Sequence, residues 1–115
     1  MPMKPLAYGY LRLDVAGERI WECERRIQQF ADRHGYDLGM VFHERTYGRA
    51  ALDALIAEVR RAQCRNVVVP DLAHLKRQTA VRQVIEARLW CEAGVGVLVA
   101  EGAMDSNREP VGVIR

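Results

Sequence analysis

Leu6-Ala7-Tyr8-Gly9-Tyr10-Leu11-Arg12-Leu13 is an uninterrupted run of strand-forming residues, followed at once by Asp14 and a polar turn around Gly17. Its length and composition predict a strand from Leu6 to Leu13. From Glu18 to about His34, Ile20, Ile27, Phe30 and Ala31 recur at helical spacing, opposite Arg25, Arg26, Gln29 and Arg33, and Gly35 is placed to end the helix. A strand feeding an amphipathic helix is half of a β-α-β unit, and the rest of the chain repeats the pattern.

Asp37 to His43 carries Leu38, Met40 and Phe42 on alternate positions and reads as a second strand, weakened by Gly39. After the turn Thr46-Tyr47-Gly48, Leu52, Leu55, Ile56, Val59 and Ala62 mark a helix from about Arg49 to Ala62. Val67-Val68-Val69, closed by Pro70, is wholly apolar and β-branched, as expected of a central parallel strand covered on both faces. Leu72 to Arg77 connects it to a helix marked by Val81, Val84, Ile85 and Leu89, ending near Gly94. Val95 to Ala100 supplies a last strand, and Gly102 to Arg115 receives no assignment.

Repeated β-α units predict an α/β fold of three layers, helices on both faces of a mostly parallel sheet of four or five strands, joined by right-handed crossovers. At 115 residues one domain is expected, spanning 1–115. Ligands of such sheets gather at the carboxyl ends of the strands. Asp14, His43 to Gly48, Asp71 to Arg77 and Glu101 onward should therefore share one edge.

Half the residues are hydrophobic and 28% are charged, which excludes a disordered chain. The net charge of +2 permits contact with nucleic acid without demanding it. Three cysteines, Cys23, Cys64 and Cys91, show no CxxC spacing and no clustered histidines, so neither a disulfide framework nor a metal site is indicated. They read as small core fillers in a reducing, cytoplasmic setting. The amino terminus lacks the apolar run of a signal peptide and no stretch approaches the ~20 apolar residues of a membrane span. Arg25-Arg26 and Arg60-Arg61 read as solvated helix faces, and Trp21 and Trp90 as core or interface packing.

Gly9-Tyr10-Leu11-Arg12-Leu13-Asp14 resembles the opening Gly-Tyr-x-Arg-Val-Ser of the serine recombinase (resolvase/invertase) catalytic domain, with Asp14 at the serine position. Three further stretches are similar to that family. Gly48-Arg49-Ala50-Ala51-Leu52-Asp53-Ala54-Leu55 resembles Asp-Arg-x-x-Leu-x-x-Leu, and Leu72-Ala73-His74-Leu75-Lys76-Arg77-Gln78-Thr79 resembles Leu-Asp-Arg-Leu-x-Arg-x-Thr. Met104-Asp105-Ser106-Asn107 with Gly112 is similar to the Ile-Asp-Thr-x stretch and later glycine that precede the family's long dimerisation helix. The resemblance implies that this helix and the family's separate helix-turn-helix domain lie outside these 115 residues.

It also implies a phosphate or DNA site built from Arg12, Arg49 and Arg77, with Lys76 beside them. A phosphodiester in a five-coordinate transition state gains charge on oxygens that a guanidinium fork binds bidentately. The departures fall on the nucleophile, replaced by Asp14, and on the Asp-Arg pair, replaced by Ala73 and His74. Attack by a carboxylate would give an acyl phosphate, which hydrolyses instead of conserving the bond for strand exchange. An ionised Asp14 at about 4 Å from a phosphate also adds roughly 1 to 4 kcal/mol of repulsion.

These departures predict a degenerate recombinase-like domain without strand exchange, needing no cofactor and acting through weak, phosphate-directed contact with DNA, a recombination complex or another copy of itself. Arg12 and Asp14, two apart on a strand, should face the same way and pair, filling the anion pocket from within. His74 reads as a polar connector residue, since Ala73 removes the carboxylate that would orient a catalytic imidazole. Two other classes stay open. An active or partner-assisted recombinase would need another nucleophile, and Ser106 is the one serine in the chain. A phosphate-binding or receiver-like regulatory domain is suggested by Asp71 after the third strand, although no acidic pair follows the first strand and Ala100 stands where Ser or Thr would end the fourth.

Overall fold

The computed structural model describes residues 4–45, 49–75 and 79–100. Its elements alternate: β1 (Leu6–Arg12), α1 (Leu13–Ala16), a 3-10 turn (Gly17–Arg19), α2 (Ile20–His34), β2 (Asp37–Glu44), α3 (Ala50–Ala62), β3 (Asn66–Val69), a 3-10 turn (Leu72–His74), α4 (Thr79–Ala93) and β4 (Gly96–Val99). The sheet runs in the order β2-β1-β3-β4, and every pair is parallel. The expected α/β architecture is thus observed, with four strands among the described residues. Lys76, Arg77, Ser106 and the whole stretch from Glu101 to Arg115 fall outside them.

Strand alternation divides the core. Tyr8, Tyr10, Val67 and Val69 pack with Leu52, Leu55, Ile56 and Val59 of α3 and Leu89 of α4. Ala7, Leu11 and Val68 point the other way, against Cys23 and Ile27 of α2. Val67, Val68 and Val69 are fully buried, as the β-branched run predicts, and each such side chain contributes about 1.5–3 kcal/mol. Gly35 ends α2 in the left-handed conformation with φ 78°, where a Cβ would be penalised.

Three expectations are corrected. The first strand stops at Arg12, because Leu13 to Ala16 already turn helically, so Asp14 belongs to a helical turn and not to the strand. Of the core or interface packing expected for Trp21 and Trp90, the core half is excluded: they are 82% and 65% exposed, each on the solvent side of its helix. Cys23 and Cys64 are buried fillers as expected, whereas Cys91 is exposed.

Gly39 has a specific role. Along β1 and β2 the pairing steps from Ala7 and Leu38 to Gly9 and Val41, so β2 carries one residue more than its partner, a bulge around Gly39 and Met40. A Cβ at Gly39 would sit 2.7 Å from Tyr8 Cε1. Gly39→Ala is therefore expected to cost about 1–3 kcal/mol by forcing the Tyr8 ring aside. Urea denaturation checks this, and an unchanged midpoint would show that the ring yields freely.

Candidate functional site

The carboxyl ends of β1, β2 and β3 converge on a cluster of buried polar groups. Arg12, Glu44 and His74 are the buried charged or polar side chains among the described residues, and all three lie at this edge. Burial of such groups is costly unless each finds partners.

Arg12 ends β1 with its side chain 5% exposed, and its Nε lies 3.2 Å from Asp14 Oδ1. The expected pair therefore forms, but through the helical turn after Arg12 instead of through strand alternation. Asp14 is more open, at 36%, and stands on the solvent side of the guanidinium.

Glu44, at the end of β2, was not among the residues the motifs single out. It is 1% exposed and accepts three hydrogen bonds: from Tyr10 Oη at 3.0 Å, from the Ala51 amide at 3.1 Å and from the Leu52 amide at 2.9 Å. The last two are free donors of the first turn of α3, whose N-cap position, Arg49, makes no side-chain cap. A carboxylate is favoured there by the partial positive charge of a helix amino end. Burial and the Glu44 carboxylate push the Tyr10 phenol well above its ordinary value, so it stays protonated and donates. The one sequence signal for Glu44 is a helix lacking a Ser, Thr, Asp or Asn cap just after an acidic strand end.

His74 lies in the turn that connects β3 to α4, as expected of a polar connector residue, and is fully enclosed there. Its Nδ1 accepts the Arg12 backbone amide at 2.9 Å, which ties the turn after β3 to the end of β1. Burial holds the imidazole below its ordinary 6.5, so it is neutral, with its proton on Nε2. That nitrogen lies 3.9 Å from Cys23 Sγ, and burial pushes the Cys23 thiol up, away from nucleophilic thiolate. His74 is a structural clamp. Asp71 accepts the Ala73 amide at 2.9 Å and caps the turn that presents it.

Arg49 is exposed at the start of α3, next to the amides that Glu44 holds. The structure thus brings Arg12, Asp14 and His74 together and places Arg49 on the same edge; Lys76 and Arg77 lie outside the described residues. Arg19, Arg26, Asp71, Cys23 and His74 also border a small cavity of about 70 Å³ on the α2 side. No cluster of three or more His, Cys, Asp or Glu able to hold a metal occurs among the described residues, and none of their helices is long and apolar enough to cross a membrane.

Three solved structures share this architecture. A resolvase family site-specific recombinase from Streptococcus pneumoniae matches with TM-score 0.72 and 18% identity over 94% of this chain and 80% of that one. The C-terminal catalytic domain of ISC1926 TnpA, an IS607-like serine recombinase, matches with TM-score 0.67 and 22% identity over 92% and 76%. The N-terminal catalytic domain of TP901-1 integrase matches with TM-score 0.68 and 15% identity over 83% and 77%. No family model and no curated protein matches the sequence. The fold is that of a resolvase-type catalytic domain.

Proposed function

We propose that this domain is a degenerate serine recombinase-like module that does not exchange DNA strands and acts by association with DNA, a recombination complex or a second copy of itself. The observation that carries the reading is the Asp14 carboxylate held on the Arg12 guanidinium at 3.2 Å. A recombinase of this fold would need a hydroxyl there and an arginine open to phosphate. Asp14 supplies neither, since it repels an incoming phosphate and already neutralises the cation. The neutral, enclosed His74 supports the same reading, because it offers no charge to a phosphate or leaving group. Any contact with DNA runs through the exposed Arg49 together with the cations of the sequence at Lys76 and Arg77, and is weak and salt-sensitive.

Covalent trapping on nicked suicide substrates tests the absence of strand exchange. Neither the wild type nor Asp14→Ser is expected to give a protein-DNA adduct, because restoring the hydroxyl leaves Ala73 and His74 in place. A wild-type adduct would overturn the reading. Titration with duplex DNA separates the modes of association: binding that fades as salt rises supports DNA, and none even at low salt leaves a protein-interaction module.

A further inference from the structure

At the end of the sheet opposite Arg12, where β3 and β4 begin, α3 and α4 both finish beside a cleft of about 860 Å³. That volume lies in the range of roughly 300–1,000 Å³ usual for small-molecule sites. Val59 and Cys64, both buried, border the cleft from within, and Arg60, Gln63, Arg65 and Trp90 border it as exposed residues. Backbone hydrogen bonds hold both walls. The Cys64 amide donates to the Val59 carbonyl at 2.9 Å and the Gly94 amide to the Trp90 carbonyl at 2.9 Å, while the Gly96 amide donates to the Arg65 carbonyl at 3.1 Å and so joins the turn after α3 to the turn after α4. Gln63, with φ 56°, is the one non-glycine residue with positive φ among the described residues. Glycine adopts that backbone freely, so a long amide side chain stands on the wall against the local preference.

Charge and aromaticity define what the cleft takes. Arg61 is held by Glu58 at 2.9 Å, and Glu92, also on the rim, is held by Arg88 at 2.9 Å. Arg60 and Arg65 have no ion-pair partner among the described residues. The carboxyl ends of α3 and α4 each bring about half a negative charge, partly met by the amides just named, against two full charges on the guanidinium groups. The surplus is positive, and it sits on side chains and not on the backbone.

A guanidinium fork binds phosphate oxygens bidentately, and an exposed indole stacks on the flat face of a base. We infer that this cleft binds a nucleotide unit, its base on Trp90 and its phosphate on Arg60 and Arg65, supplied by a single-stranded nucleic acid or by a free nucleotide. A duplex does not fit, since its bases are already stacked on one another and closed to Trp90. The site lies at the other end of the sheet from Arg12, Asp14 and Arg49, and it stands whether or not the domain exchanges strands.

The chain has two tryptophans, so Trp21→Phe leaves Trp90 as the one indole reporter. Titrated at low salt with a short oligothymidylate, and separately with adenosine 5′-monophosphate, this variant should lose fluorescence as a base stacks on Trp90. Quenching by the mononucleotide identifies a free nucleotide as ligand, and quenching by the oligonucleotide alone identifies a single strand. Calorimetry with whichever of the two quenches should show binding roughly tenfold weaker in Trp90→Ala, and largely kept in Trp90→Phe, which retains a ring. Arg60→Ala combined with Arg65→Ala should weaken it roughly tenfold or more and flatten its dependence on salt. Arg25→Ala, which removes an exposed cation outside the cleft, should change neither. These substitutions fall on exposed residues, and circular dichroism checks that each variant keeps the fold. No quenching by either ligand, equal quenching by a duplex of the same length or by polyglutamate, or unchanged affinity in Trp90→Ala overturns the inference. Covalent trapping on DNA decides strand exchange separately.

Discussion

Glu44→Ala is expected to be one of the two most damaging single polar substitutions at the carboxyl edge, lowering stability by about 3 kcal/mol and Tm by on the order of 10 °C. Removing the carboxylate strips an acceptor from three donors at once: the Tyr10 hydroxyl and the Ala51 and Leu52 amides. The hydroxyl is enclosed and cannot recover its bond from water, while the amides lose the acceptor that stands in for a cap at α3. Glu44→Gln should lose about half as much, because its one carbonyl oxygen still accepts while its amide nitrogen meets a backbone donor. Thermal unfolding of the two variants beside Tyr10→Phe separates the contributions. Equal stability of Glu44→Ala and wild type would mean that this carboxylate does not hold α3 to the strand ends.

The second large effect is expected at His74. His74→Ala leaves the Arg12 amide without an acceptor and opens a cavity, together costing about 2–4 kcal/mol. His74→Asn should recover part of this, since its side-chain oxygen can accept the same amide. The imidazole also makes stability depend on pH. Its folded pKa lies below the ordinary 6.5, so the unfolded chain takes up a proton that the folded chain refuses. The His74 contribution is therefore fully present above 6.5 and is lost as pH falls from 6.5 through the lower folded value. Wild type should lose more stability than His74→Asn over that interval, and denaturant midpoints measured across it give the comparison. Parallel profiles for the two proteins would show that His74 is not held neutral by burial.

Both residues act on Arg12, one through its strand neighbour Tyr10 and one through its backbone. Between them they fix the end of β1 so that Asp14, on the following turn, lies against the guanidinium. The same surroundings would have to hold any nucleophile placed at position 14, which is why Asp14→Ser alone is not expected to restore chemistry.

Much of this was legible without coordinates. The order of strands and helices follows from periodicity, because an apolar stripe at spacing 3.6 and a short β-branched run such as Val67 to Val69 each have one economical way to bury themselves. Gly35 was readable as a helix end because its missing side chain permits the left-handed backbone. The Arg12–Asp14 pair was also anticipated, but from the shared face of residues two apart on a strand, whereas the helical turn that begins at Leu13 is what brings Asp14 to the guanidinium. Glu44 and His74 were not legible as structural residues. Their partners lie 7, 8 and 34 positions away for Glu44 and 62 for His74, and no local pattern encodes contacts of that separation. That Trp90 lies outside the core was hidden for a related reason: a large aromatic on a helix suggests core or interface packing alike, and which side of α4 the sheet covers is decided by Leu89 and Ile85 together with the strands they meet.

The sequence by itself therefore determined the α/β class, the order of the elements and the edge on which Arg12, Asp14 and Arg49 gather, since these depend on local periodicity and on the parallel crossover rule. Only the tertiary structure decided what that edge is made of. Burial beside distant partners makes Glu44 a cap and His74 a neutral clamp, and it leaves one face of α4 uncovered, because desolvation and hydrogen-bond satisfaction are properties of a residue's neighbours in space and not of its place in the chain.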